Sequence, residues 1–171
     1  LKGDFDFGPL INDDAVGRVA CYNNKIYQEL FSDGNGNIDR LSRGTLNDNL
    51  SGNFISPMIY VTEWDNTRCY LTEEVFGPHV AIIPFDTIEE AVDIYNDTKF
   101  GLSCAVITEN YRTMRYVRNH ADYGMGYVNL PCIGAESHLP FGGVKCSGNG
   151  QPSASRTYQS VTNEVVWTTN F

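Results

Sequence analysis

Glu74 and Phe76 are the residues whose types and spacing best suit chemistry on a small ligand. They stand two positions apart in the stretch Thr72-Glu-Glu-Val-Phe-Gly-Pro-His-Val-Ala-Ile-Ile-Pro-Phe85. A carboxylate can accept hydrogen bonds from two neighbouring sugar hydroxyls, and a phenyl ring can lie against a flat heterocycle. Together they suit a nucleoside-like ligand. If the backbone is extended there, a period of two points both side chains the same way. The same residues also fit an exposed acidic turn with Phe76 in the core.

A second group lies further on. Cys132, Glu136, His138 and Cys146 could be taken for metal ligands, but their spacing is loose and no CxxC pair occurs, so no metal is expected. Cys132 with His138 does not make a hydrolase by sequence, because a nucleophile and base are recognised by geometry that a sequence does not show. Pro140-Phe-Gly-Gly-Val-Lys145 lacks the GxxxxGK[ST] spacing of a phosphate loop. Arg112, Arg115 and Arg118 recur at helical spacing and suit a solvated helix face.

These residues need elements to hold them. Val80 to Ile83 is β-branched and aliphatic, which predicts a buried strand opened by Gly77-Pro78. Asp13 to Phe31 carries Val16, Val19, Ala20, Asn23, Ile26, Tyr27 and Leu30 at helical spacing, with Asp13 or Asp14 as cap. Asp33-Gly-Asn-Gly-Asn37 ends that helix in a loop. Ile38 to Asn53 suits a short edge strand and a polar turn. Pro57 demotes the β-prone run from Phe54 to Val61 to an edge or irregular strand.

The pattern then becomes regular. Thr87 and Glu90 form a capping box, and Ile88, Ala91, Val92 and Tyr95 one apolar face behind it. A buried strand is predicted over Leu102–Ile107 and a helix from about Asn110 to His120, with Tyr111, Met114, Val117 and Ala121 inward. Gly124 to Leu130 is a third strand. Strand, helix, strand, helix, strand predicts an α/β fold: a parallel-rich sheet with right-handed crossovers. The loop-rich stretch from Pro131 to Ser147 follows a strand's carboxyl end, where open α/β sheets place ligand loops.

Composition bounds the function. The 171 residues suit about one domain, with 42% hydrophobic and 12% aromatic content. No apolar run reaches the roughly 20 residues of a membrane span. A net charge of −9 argues against a nucleic-acid surface. The five scattered cysteines, Cys21, Cys69, Cys104, Cys132 and Cys146, suit reduced thiols and a cytoplasmic location. The chain begins at Leu1, in mid-flow, as a domain within a longer protein would.

Several motifs then fall in one order. Glu73-Glu-Val-Phe-Gly-Pro78 resembles the E-E-x-F-G-P motif of the aldehyde dehydrogenase superfamily. Leu139-Pro-Phe-Gly-Gly-Val-Lys-Cys-Ser-Gly148 resembles its P-F-G-G-x-K-x-S-G, and Asn96-Asp-Thr-Lys-Phe-Gly-Leu-Ser103 its N-x-T-x-[YF]-G-L-S. Gly126-Tyr-Val-Asn129 is similar to its G-x-V-x-V-N region, and Gly8-Pro-Leu-Ile11 to its G-P-L-I element. The resemblance implies a catalytic-domain-like sheet with helices on both faces. It places Glu74 on the nicotinamide ribose and Phe76 beside the nicotinamide of NAD or NADP. Asn129 would lie near the reacting end, Phe141 would line the aldehyde passage and Cys132 would stand at the substrate mouth.

The same resemblance implies oxidation of an aldehyde to an acid through a cysteine thiohemiacetal and thioester. The family's nucleophilic Cys and general-base Glu lie upstream of G-P-L-I, so no catalytic residue is expected within this stretch. The chain alone is expected to be inactive. Residues 1–157 would be the C-terminal part of the catalytic domain. Residues 158–171 would form a C-terminal strand that joins another subunit in a homo-oligomer. Ser147-Gly-Asn-Gly-Gln-Pro-Ser-Ala154 resembles the tail of succinylglutamate semialdehyde dehydrogenases, with Gly150 and Gln151 replacing its His and Arg. A semialdehyde is the expected substrate class. The competing expectation is a non-catalytic assembly or binding module of the α/β class.

Overall fold

The computed structural model describes residues 8–32, 38–43, 51–134, 136–150 and 153–170. The expected loop at 33–37, the polar turn over 44–50, Gln151 and Phe171 lie outside the described residues. The chain divides into two compact units, Leu1–Pro84 and Phe85–Phe171.

The first unit begins with helix α1, Asp13–Ser32. Its cap is Asn12, whose Oδ1 accepts the Ala15 N–H at 2.9 Å. The expected caps, Asp13 and Asp14, instead occupy the first turn, where their charge meets the positive end of the helix dipole. The helix buries Ala15, Val19 and Ile26. Strands β1 (Ile38–Arg43), β2 (Met58–Thr62) and β3 (His79–Ile82) form a sheet in the order β1-β2-β3. β1 runs antiparallel to β2, with an irregular register between Arg40 and Ser42, and β3 runs parallel to β2.

Two strand expectations are corrected here. Pro57 does not demote its strand, because it stands just before β2, where a missing N–H removes no ladder bond. Met58 N–H instead donates to Pro78 O at 3.0 Å, and β2 is the central strand. Met58 and Tyr60 pack with Ile26 and Tyr70 of the short helix α2 (Cys69–Thr72). The second correction is β3, which is not fully buried: Val80 and Ile82 are 50% and 41% exposed. An apolar run does not reveal how many of its faces are covered. β3 turns His79 and Ala81 inward and its other two residues outward.

The second unit starts at a capped helix, α3 (Ile88–Asn96). Thr87 Oγ1 accepts the Glu90 N–H at 3.2 Å, while Glu90 Oε2 accepts the Asp86 N–H at 2.8 Å. The box thus closes one residue earlier than its usual reciprocal bond. β4 (Ser103–Val106), α4 (Tyr111–His120) and β5 (Met125–Val128) make a crossover whose strands pair in parallel. Asn110 caps α4 through Arg112 N–H at 2.9 Å. Arg112, Arg115 and Arg118 are exposed, as their spacing predicts.

The expected single parallel-rich sheet with helices on both faces appears as three small sheets. In the second unit Val92 of α3 and Val117 of α4 cluster with Cys104 and Val106, alternate residues on one face of β4. Tyr111, expected inward, is exposed. Six residues separate it from Val117, which at 3.6 per turn places it about 120° round the helix.

The chain then runs through β6 (Pro140–Phe141) and a single 3-10 turn, Lys145–Ser147. β7 (Ser153–Ala154) pairs antiparallel with β6, and helix α5 (Thr157–Val161) follows. The expected strand from Tyr158 therefore opens as a helix. Residues 163–170 join no ladder in the single chain, and Val165, Val166 and Trp167 are exposed. No described helix is long and apolar enough to cross a membrane.

Candidate functional site

In the first unit the Glu-Glu-Val-Phe-Gly-Pro turn is held at alternate residues. Glu73 Oε2 accepts the Tyr22 hydroxyl at 2.5 Å, a bond that pushes the phenol above its ordinary pKa. Val75 is buried. Gly77 rests against α1: a Cβ there would meet Val19 Cγ2 at 2.6 Å and Cγ1 at 3.0 Å. Pro78 is tied to β2 through the Met58 N–H already described. Between these anchors Glu74 and Phe76 are exposed, Phe76 at 65%. The structure thus separates the two glutamates: Glu73 is bound to Tyr22, and Glu74 faces solvent.

Phe76 has φ 55°, in the left-handed region. The expected extended geometry therefore fails at this residue, and period-two alternation does not relate the two side chains. A bulky residue with positive φ is a genuine outlier, and such backbone persists where surrounding contacts impose it. Here the docked neighbours Val75 and Gly77 bracket it. The Arg18 guanidinium carbon lies 5.9 Å from the ring centroid, giving the ring a cationic neighbour that the sequence did not announce.

A polar network fixes the helix that leads into this turn. Arg68 Nη1 donates to Thr62 Oγ1 at 2.8 Å, and its Nε lies 3.3 Å from both Glu29 Oε2 and Asp65 Oδ2. Tyr70 OH donates to the same Glu29 oxygen at 2.5 Å. Burial first and this bond second push the Tyr70 phenol well above its ordinary range. Burial alone lowers the imidazole of His79, whose Nε2 lies buried and unbonded among the described residues.

In the second unit Asn129 follows β5, with φ 54°. Asparagine tolerates this conformation better than most residues. Its N–H donates to Val106 O at 2.9 Å. Its Oδ1 accepts the Thr108 N–H at 2.8 Å while its Nδ2 donates to Thr108 O at 3.0 Å. The side chain thus clamps the ends of β4 and β5. Cys132 is an exposed free thiol in the loop that follows. Tyr127 OH closes that loop by donating to Gly134 O at 2.6 Å.

Phe141, half-buried, lines a cleft of about 810 Å³ with Tyr123, Gly142, Val144 and Ser147. Asn129 and Cys132 do not line that cleft. Its wall is built backbone against backbone. A Cβ on Gly124 would stand 1.7 Å from Gly142 O, and one on Gly148 would stand 1.9 Å from Gly143 O. The segment 99–101 bonds the same wall: Val144 N–H to Gly101 O and Cys146 N–H to Lys99 O, both at 2.9 Å. Ser147 Oγ accepts the Gly101 N–H at 3.1 Å. Two motifs far apart in sequence are thus one local structure.

Among the other thiols, Cys104 is buried within the second unit, and burial pushes its pKa up. His138 Nδ1 and Glu136 Oε2 are 3.9 Å apart at the surface. Among the described residues no group of three or more His, Cys, Asp or Glu side chains is placed to hold a metal. On the turn of the first unit, the Glu74 carboxylate and the Phe76 ring are each exposed, so both are open to a ligand.

Comparison with known proteins follows the same line. A model of the aldehyde dehydrogenase family matches residues 1–166. Alpha-ketoglutaric semialdehyde dehydrogenase of Bacillus subtilis (strain 168) is 36% identical over 152 residues, covering 87% of this chain and 30% of that protein. Human 2-aminomuconic semialdehyde dehydrogenase is 34% identical over 125 residues, covering 73% of this chain and 25% of that protein. The crystal structure of Mycobacterium tuberculosis aldehyde dehydrogenase complexed with NAD+ superposes with TM-score 0.78 at 31% identity. It covers 92% of this chain and 31% of the other. The chain therefore spans about 30% of the Bacillus relative's length. On the match over nearly its whole length, this chain belongs to the aldehyde dehydrogenase family.

Proposed function

We propose that this chain is the C-terminal part of the catalytic region of an NAD- or NADP-dependent aldehyde dehydrogenase. The observation that carries the reading is the turn with Glu74 exposed and Phe76 held outward on left-handed backbone. Glu74 accepts hydrogen bonds from the nicotinamide ribose hydroxyls. The Phe76 ring packs beside the nicotinamide, with Arg18 as its neighbour. The nicotinamide coenzyme, when bound, supplies the hydride acceptor for aldehyde oxidation.

Asn129 stands near the reacting end, retaining one amide hydrogen and one lone pair beyond its bonds to Thr108. Phe141 lines the aldehyde passage, and Cys132 stands at its mouth. The nucleophilic thiolate and the carboxylate that activates water come from polypeptide outside this chain, as the order of the family's motifs implies. A semialdehyde is the substrate class, in keeping with the names of the Bacillus and human relatives and with the tail Ser147–Ala154 that resembles the succinylglutamate branch. The exposed Val165, Val166 and Trp167 suit a strand that pairs with a second subunit.

Glu74→Gln in the longer enzyme tests the coenzyme role. A hydrogen bond to a charged group contributes about 1.5–3 kcal/mol and a neutral one about 0.5–1.5. The difference of about 1.4 kcal/mol corresponds to roughly tenfold in hydride-transfer rate. The melting temperature should stay put, because the carboxylate is exposed. A rate loss matched by an equal loss of stability would return Glu74 to a purely structural role.

A further inference from the structure

Lys145 occupies backbone that lysine seldom adopts, with φ 52°. Its neighbours Gly142, Gly143 and Gly148 show a local sequence rich in the residue that tolerates such backbone most easily. A long side chain there calls for a reason at its far end. That end meets three acceptors: Asn96 O at 2.6 Å, Asp122 Oδ2 at 2.8 Å and Thr98 O at 3.2 Å. An ammonium has three hydrogens to give, so its donor capacity matches them.

The acceptors belong to junctions rather than to one element. Asn96 ends α3, where the helix dipole favours a cation. Asn96 Nδ2 donates to His120 O at 2.8 Å, and its Oδ1 accepts the Asp122 N–H at 2.8 Å. Asn96 thus joins the carboxyl ends of α3 and α4. Lys145 then fastens to that joint the segment that also carries Phe141, four residues back.

We infer that Lys145 is a positioning residue for the Phe141 wall, holding it against the α3–α4 joint and thereby setting the width of the aldehyde passage. The inference rests on the reading of Phe141 given above. It assigns the lysine of the P-F-G-G-V-K run to an internal tether. Its ammonium acts on substrate only through Phe141.

The test has two parts. In the full chain, amide hydrogen exchange is measured for Lys145→Met. Exchange at Val144 and Cys146 should rise by about tenfold or more, with Met125 and Asn129 changing by less than about twofold. An equal rise at all four amides, or none, overturns the tether. Should Lys145→Met fail to fold, Asp122→Asn keeps the lysine and removes one charged partner. It should produce a smaller rise at the same two amides, and its absence likewise overturns the tether.

In the longer enzyme, KM is compared for a small and a bulky aldehyde. Lys145→Met should change the bulky-to-small KM ratio by about threefold or more, with kcat moving less than KM. Phe141→Ala is the parallel variant. A ratio shifted by Phe141→Ala and untouched by Lys145→Met overturns the inference alone. A ratio untouched by both overturns the passage reading of Phe141 and the inference with it.

Discussion

Gly77→Ala tests how the Glu74–Phe76 turn is held. The new methyl would lie 2.6 Å and 3.0 Å from the two Cγ atoms of Val19 and 3.4 Å from its Cβ. Val19 is 1% exposed and branched at Cβ, so it has no easy rotamer to retreat into. Forcing an extra carbon into a packed site costs about 1–3 kcal/mol. At a urea dependence of about 2 kcal/mol per molar, a loss of about 2 kcal/mol lowers the unfolding midpoint by roughly 1 M. Trp64 emission reads the first unit once Trp167 is replaced by Phe. Val19→Ala should partly relieve the clash, so the double variant should be less destabilised than the two single losses added, by about 0.5 kcal/mol or more. A midpoint for Gly77→Ala within about 0.2 M of the parent, or strict additivity in the double variant, would refute the packing argument.

Acid should weaken the first unit through His79. Its folded pKa is lowered by burial, so the unfolded chain binds more protons below its ordinary 6.5. Stability is full above that value and falls as pH drops toward the folded pKa; His79→Phe should flatten urea midpoints measured from pH 7 to 5. The chain by itself should show no aldehyde oxidation with NAD or NADP across several aldehydes, and turnover abolished by Cys132→Ala would overturn that expectation. Deleting residues 164–171 from the longer enzyme should shift it toward monomer in sedimentation, whereas an unchanged oligomer would place the tail within its own fold.

What was legible in the sequence was mostly local. Thr87 with Glu90 announces a helix start because a capping box needs only neighbours three residues apart. The Asn12 cap was missed because Asp13 and Asp14, equally good cap types, stand beside it. Pro57 misled for a similar reason: a proline one place outside a strand has the same composition signal as one within it. The apolar character of Val80 and Ile82 points to burial, but coverage depends on what packs from elsewhere, and both are exposed. The site divides likewise. Glu74 and Phe76 stand in a motif, but the positive φ of Phe76 and the packing of Gly77 on Val19, far away in sequence, belong to the fold. Lys145 lay in plain view inside a motif, yet its partners Asn96 and Asp122 are set by the meeting of two helices.

The Gly124 contact has a consequence for anyone wishing to retune this protein. Where two main chains touch, as at Gly124 and Gly142, no side chain remains to be shortened in compensation for one that is added. Diversity introduced at Gly124, Gly143 or Gly148 should therefore yield misfolded clones rather than altered selectivity. Libraries belong instead on the exposed positions Leu130, Cys132, Ile133 and Leu139, where side chains can vary while the glycine frame stays fixed.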